Sequence, residues 1–223
     1  MTPPWPGPPA WPPRAPGSLF VTLEGVDGAG KTTQARALAE RLRLAGREVV
    51  ETREPGGTPG AEAIRELLLG DDAEPWSTGT EALLFTAARR AHVERVIAPA
   101  LARGTSVVCD RFVDSTRAYQ GGDRDARAFV DALHALAIGV EADATLILLL
   151  DPDAALARAE ARGRADRFEA RGRDFQADLA AAYRAIAEAD PARCRLIDAD
   201  ADAETVSGRV WAALNLYVTP GAT

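Results

Sequence analysis

The run Gly25-Val26-Asp27-Gly28-Ala29-Gly30-Lys31-Thr32 constrains this chain more than any other, because it fits the spacing G-x-x-x-x-G-K-[ST] of a phosphate-binding loop. Gly25, Gly28 and Gly30 can take backbone conformations closed to other residues and bring amide N–H groups against phosphate oxygens. Lys31 supplies a point charge to the β and γ phosphates, and Thr32 offers a hydroxyl to Mg²⁺. An apolar strand from Leu19 precedes the motif, and a helical stretch runs on through Thr33 to Leu44, so the positive helix end faces the phosphates. Lys31 is also the only lysine in the chain, every other cationic side chain being arginine. A compact ammonium is kept where it must fit among phosphates.

Such a loop needs a strand before it and a helix after it, and the rest of the chain repeats that alternation. Leu19–Glu24, Glu48–Thr52, Thr105–Asp110, Ala144–Asp151 and Cys194–Asp198 read as strands. The runs near Val107 and Leu148 are almost continuously apolar, as strands buried on both faces should be. Stretches starting near Lys31, Gly60, Thr80, Asp125, Pro152, Gly172 and Ala203 read as helices. Strands alternating with helices imply parallel pairing with helical crossovers. The expected class is therefore α/β, a three-layer fold with a central five-stranded parallel sheet flanked by helices.

Composition sets the outer limits. At 223 residues and 47% hydrophobic, the chain has material for one large core. Its formal net charge of -7 lacks the electrostatic footprint of a nucleic-acid binder, so no nucleic-acid partner is expected. No stretch reaches the ~18 apolar residues that cross a bilayer, so no membrane partner is expected either. Cys109 and Cys194 lie far apart and in no paired motif, which points to a reducing, cytoplasmic setting. Residues 1–17 are crowded with proline and carry Trp5 and Trp11; they read as a disordered extension, or as a polyproline segment that docks on a partner. The main domain is expected over 18–217, with a short tail at 218–223.

Further motifs narrow the reading. Arg53-Glu54-Pro55-Gly56-Gly57-Thr58 follows the second strand, LLFTAAR carries Phe85 and Arg89, and DRFVDSTRAYQGG runs from Asp110 to Gly122. Together with the phosphate loop they resemble the thymidylate kinase family, especially its bacterial members, from about Phe20 to Asp198. The resemblance implies Mg²⁺-dependent transfer of the γ-phosphoryl group of ATP to dTMP, by a P-loop kinase fold that forms a homodimer. An acceptor phosphate, with a second pKa near ~6, is already largely dianionic at neutral pH, so no general base is required. That suits a chain whose two histidines, His92 and His134, stand outside every motif and read as surface or packing residues.

The resemblance also implies roles for single residues. Gly25 to Thr33 hold ATP. Arg65 and Arg111 hold the acceptor phosphate through forked contacts. Phe85 stacks on thymine, Arg89 donates to the base carbonyl that separates thymine from cytosine, Thr116 and Gln120 complete the base contacts, and Tyr119 crowds the place of a ribose 2′-hydroxyl. Glu54, with Pro55 beside it, assists from the opposite loop. Asp27 binds the sugar 3′-hydroxyl or orders Mg²⁺ water; a carboxylate inside a phosphate cradle is unfavourable unless something of that kind compensates it. For the metal carboxylate, two strands end in aspartate, at Asp110 and Asp151, and pattern alone does not separate them. The resemblance favours Asp110, with Asp151 capping the next helix.

Six arginines, Arg158, Arg162, Arg164, Arg167, Arg171 and Arg173, lie between 158 and 173. They read either as a solvated helix face or as a lid that closes over the donor phosphates. Within the family the catalytic arginine stands either in the phosphate loop or in the lid; this loop contains none, so the resemblance implies that the lid supplies it, with Arg158 and Arg162 fitting best by position and Arg167 next. Two rival readings stay open: a kinase for another nucleoside monophosphate, and a non-catalytic nucleotide switch.

Overall fold

A computed structural model of the chain describes residues 10–70, 75–161 and 171–218. Five strands, β1 (Phe20–Gly25), β2 (Val49–Arg53), β3 (Ser106–Asp110), β4 (Ala144–Leu149) and β5 (Cys194–Asp198), form one sheet in the order β2-β3-β1-β4-β5. All pairings are parallel. β1, β3 and β4 are buried along their whole length, which their apolar runs require once helices cover both faces. The strand order changes direction around central β1, and open α/β sheets bind ligands beyond the strands' carboxyl ends at such a point.

The helices are α1 (Lys31–Leu44), α2 (Pro59–Leu69), α3 (Thr78–His92), α4 (Ala98–Ala102), α5 (Val113–Gln120), α6 (Arg124–Ala137), α7 (Pro152–Ala161), α8 (Gly172–Ala189) and α9 (Ala203–Val218). A π-helical turn, Val93–Ile97, joins α3 to α4. Local chemistry sets several starts. Thr58 Oγ1 accepts from the Ala61 amide at 3.2 Å with Pro59 in the first turn, and Asp123 accepts from Asp125 and Ala126 ahead of α6. One core cluster packs Leu38 and Leu42 of α1, Tyr183 of α8 and Val210 of α9 against β1 and β4. The other, on the opposite face, packs Val93, Ile97, Leu101 and Ile138 against Phe20, Val107 and Phe112. These are the three layers expected, with strand bounds within about two residues of those read from the sequence. α5 and the π-helical turn were not foreseen, since a short helix with polar residues and a one-residue insertion leave little periodicity.

The disorder expected of residues 1–17 is not what the described half of that segment shows. Trp11 Nε1 donates to the Ile138 carbonyl at 2.5 Å, and the Arg90 guanidinium lies 4.6 Å from the centre of the indole. The Ala15 amide donates to the Leu101 carbonyl at 3.0 Å. Arg14 pairs with Asp143, whose Oδ2 also accepts from the Phe20 amide at 2.7 Å. Residues 10–17 thus strap the amino ends of the strands, away from the phosphate loop. Trp11→Ala is expected to cost about 2 kcal/mol, for lost packing, one hydrogen bond and a cation–π contact. A thermal melt should then shift down by about 4–8 °C; no shift would mean that the strap carries no stability.

Candidate active site

β1 runs directly into the phosphate loop, and its last residue shows why glycine is needed there. Gly25 has φ 131°, and a Cβ on it would stand 2.0 Å from the Leu148 carbonyl oxygen of β4. The loop ends at Gly30, in left-handed conformation, from which α1 begins with Lys31. Lys31 Nζ donates to the Val26 carbonyl at 2.8 Å and lies 3.7 Å from Asp27 Oδ1. Thr32 Oγ1 donates to Asp110 Oδ2 at 2.5 Å, across from β1 to the end of β3.

Two adjoining clefts open here. The first is lined by Gly28, Gly30, Lys31, Thr32, Thr33, Arg65, Asp110 and Arg158, among others. The second is lined by Phe85, Arg89, Phe112, Ser115, Thr116, Tyr119 and Gln120. They share Asp27, Glu54, Pro55, Leu69 and Arg111, so two anionic ligands could lie end to end with their phosphates meeting at that wall.

Arg111 is the hub of the junction. Its guanidinium contacts Asp27 Oδ1 and donates to Ser115 Oγ at 3.0 Å, Tyr119 Oη at 3.2 Å, Tyr183 Oη at 3.3 Å and the Gly25 carbonyl at 3.3 Å. Its backbone has φ 72°, the one left-handed non-glycine residue among the described residues, a conformation of about 1–3 kcal/mol that persists only where surroundings enforce it. Tyr119 Oη donates to Asp27 Oδ2 at 2.7 Å, and burial raises the Tyr119 phenol well above its ordinary range, so it stays a neutral donor.

In the second cleft, half-buried Phe85 and buried Arg89 both line the wall. Arg89 Nε donates to Glu54 Oε2 at 2.7 Å, and Nη2 donates to Thr116 Oγ1 at 3.0 Å and to the Phe112 carbonyl at 3.1 Å. Gln120 Nε2 donates to Glu81 Oε2 at 2.9 Å. Arg65 Nη1 donates to the Pro55 carbonyl at 3.0 Å, which aims the side chain from α2 toward the first cleft.

With this geometry in place, likeness to known proteins becomes informative. The family model described as Thymidylate kinase matches residues 23–210. The chain belongs to the thymidylate kinase family. The thymidylate kinase of Ruegeria pomeroyi is 55% identical over 194 residues, covering 86% of this chain and 92% of that protein. That of Caulobacter vibrioides is 54% identical, covering 86% of this chain and 93% of its own length. The crystal structure of thymidylate kinase from Ehrlichia chaffeensis is 37% identical with a TM-score of 0.71, covering 89% of this chain and 99% of that one.

Every site residue read from the sequence lines one of the two clefts, apart from Gly25, Val26, Ala29 and Arg162. Val26 offers its carbonyl to Lys31, and Arg162 lies outside the described residues, as do Arg164 and Arg167. Arg158 lines the phosphate cleft and donates to the Ala199 and Ala201 carbonyls at 3.2 and 3.4 Å. Asp151 accepts from the Asp153 and Ala154 amides at the start of α7, as a capping residue does. Asp110, in contrast, has its Oδ1 buried without a partner among the described residues. A carboxylate oxygen in that state is costly unless a cation or water meets it. The oxygen-only pair of Thr32 and Asp110, facing a phosphate cleft, fits Mg²⁺, which usually takes one or two protein oxygens and fills its shell with water and phosphate.

Sequence reasoning missed Glu24, Ser115, Tyr183 and His92. The signal for Glu24 was available: a charged residue inside an otherwise apolar strand. Its Oε1 accepts from the Phe112 amide at 2.7 Å and its Oε2 from Ser115 Oγ at 2.6 Å and Tyr183 Oη at 3.2 Å. Burial and the nearby Asp114 push its carboxyl up to about 7.

Burial, helped by the Arg111 charge, lowers the Lys31 amine to about 8, against the opposing pull of Asp27, Asp110 and Glu24. A bound triphosphate favours the ammonium and raises that value. Above pH of about 8 the free chain holds fewer protons at Lys31 than the complex does, so binding takes up a proton and weakens as pH rises. Calorimetry of nucleoside triphosphate binding in two buffers of different ionisation heat should show this uptake at pH 8.5–9, about tenfold weaker affinity per pH unit at most, and almost no uptake at pH 6.5.

Proposed function

We propose that this chain transfers the γ-phosphoryl group of ATP to dTMP, giving dTDP and ADP. The observation that supports it most is the pair of clefts meeting at Asp27 and Arg111, one built on a phosphate loop and the other on Phe85, Arg89, Thr116, Tyr119 and Gln120. A nucleotide switch would need only the first cleft.

The amides of Gly25 to Thr33 and the Lys31 ammonium hold the donor phosphates, and Arg111 with Arg65 holds the acceptor phosphate. Because phosphoryl transfer calls for alignment and charge stabilisation more than covalent participation, the chain's task is to keep the two phosphates in line. An acceptor phosphate oxygen bonds to the γ phosphorus as the bond from that phosphorus to the β-phosphate bridging oxygen breaks, and ADP departs with that electron pair. Lys31 and Arg111 face the charge that spreads over the transferring group, and Arg158 joins them from the lid side, with Arg162 a further candidate. When Mg²⁺ is bound, Thr32 and Asp110 would hold it and it would neutralise the donor phosphates. Asp27 and Tyr119 bracket the acceptor sugar, with the Asp27 carboxylate accepting from a 3′-hydroxyl once phosphate draws Arg111 away. Phe85 stacks on the base while Arg89 donates to a carbonyl that cytosine does not offer.

A homodimer and a cytoplasmic setting belong to the same reading. α3 and α6 pack together and leave Leu83, Phe129 and Leu136 exposed, a surface for the same helices of a second copy. Sedimentation at micromolar concentration should give about twice the 23.6 kDa chain mass. Cys109 and Cys194 are free, buried thiols, the state kept in a reducing compartment, and among the described residues no helix is long and apolar enough to cross a membrane.

A coupled assay of ADP release tests the activity. Release should depend on dTMP and be at least tenfold slower with dCMP at equal concentration, since a lost charged hydrogen bond is worth about 1.5–3 kcal/mol. Arg111→Ala should reduce turnover on dTMP by several orders of magnitude while ATP affinity changes by less than about threefold, because only the acceptor phosphate loses its clamp. ADP release indifferent to any acceptor would overturn the reading.

A further inference from the structure

His92 closes α3, and its side chain is completely buried. Both ring nitrogens are engaged: Nδ1 lies 3.0 Å from Glu54 Oε1, and Nε2 lies 2.7 Å from Thr52 Oγ1. An ionised carboxylate only accepts, so the proton of that first contact sits on Nδ1, and Nδ1–H donates to Glu54. The other Glu54 oxygen accepts from Arg89 Nε at 2.7 Å. Glu54 is therefore gripped at both oxygens by two residues of one helix, Arg89 and His92, spaced so that they share a face.

The grip has a geometric consequence. The terminal torsion of a glutamate is broad, so a carboxylate held at one oxygen can swing about its own axis. Held at both, its plane is fixed, and with it the direction from which Arg89 Nε is anchored. The guanidinium is planar, so fixing Nε as well as Nη2 sets the plane in which its remaining N–H bonds reach the second cleft. The ring also floors the loop that carries Pro55. A Cβ on Gly57 would lie 2.6 Å from His92 Cδ2 and Nε2, which leaves no room for any residue but glycine there. Directly after His92 the chain turns into the π-helical segment Val93–Ile97, the kind of insertion that marks sites where a helix is shaped for a task other than packing.

We propose that His92 is a positioning residue for base selection: through Glu54 it holds Arg89 in the orientation that discriminates the acceptor base. The inference rests on the assignment of Arg89 to that base. It assigns to His92 no contact with substrate and no proton transfer.

Two substitutions of similar size separate this role from packing. Asn places its amide nitrogen near the position of Nδ1, so His92→Asn keeps a donor for Glu54 and loses the Thr52 contact. His92→Gln reaches instead toward Thr52 and loses the donor to Glu54. Steady-state kinetics with dTMP and dCMP, with dCMP as the competing pyrimidine, should show His92→Asn within about threefold of wild type in its preference for dTMP. His92→Gln should lose about tenfold of that preference through a higher KM for dTMP, with KM for ATP unchanged. Equal preference in both variants, whether retained or lost, would assign the ring to packing and overturn the proposal. Wild type that does not prefer dTMP would instead overturn the base-site reading beneath it. Should neither variant fold, wild type decides: ¹⁵N-labelled histidine spectra should show His92 protonated at Nδ1, and a neutral ring protonated only at Nε2 would sink the proposal, because that nitrogen cannot reach Glu54.

Discussion

One buried carboxylate ties the working parts of this molecule together. Glu24 is the last residue but one of the central strand, just before the phosphate loop, and it takes hydrogen bonds from the Phe112 amide, Ser115 and Tyr183. Those partners come from the segment after β3, from α5 and from α8. The phosphate loop, the Arg111 junction and α8 therefore share a single anchor. Without it, Ser115 and Tyr183 would lose the acceptor that orients their hydroxyls toward Arg111. Burial and the Asp114 charge favour the protonated acid here, while the Ser115 hydroxyl, the Arg111 charge and the Phe112 amide pull the other way, which holds the carboxyl at about 7.

The charges around the junction show a second economy. Asp27, Lys31 and Asp110 are buried with Arg111 beside them, two cations among two carboxylates, and Asp27 pairs with both cations. The Asp27 carboxylate occupies Arg111 and lies near Lys31, as a phosphate would. A site that must receive highly charged ligands cannot leave its cations bare when empty, because an unpaired buried charge costs several kcal/mol. On the proposed reading, incoming phosphates exchange with Asp27 for partners already aligned, and the exchange turns that carboxylate toward a hydroxyl.

How much of this could be read without coordinates follows from the range of each interaction. The five strands and the phosphate loop were legible because their signals are local: continuous apolar runs for strands covered on both sides, and glycines at fixed spacing. Asp27, Phe85, Arg89, Arg111, Thr116, Tyr119 and Gln120 were legible as a set only through family likeness, and they do converge on one cleft. Glu24, Tyr183 and His92 were not, because each acts through partners 38 to 159 positions away along the chain. Nothing local distinguishes a buried, doubly bonded histidine from an idle one. Trp11 was misread for a like reason: proline-rich composition speaks for the free chain, whereas its indole finds a carbonyl on the far side of the sequence.

The left-handed backbone at Arg111 carries a consequence for how such a chain can change. Glycine would relax that conformation, but it would strip Asp27 of its guanidinium partner, and a buried charge left unpaired costs more than the torsion relieved. It would also discard the hub of the junction. The torsion persists because the contacts of that hub hold it, and thermal hardening of this scaffold has to be sought at other positions.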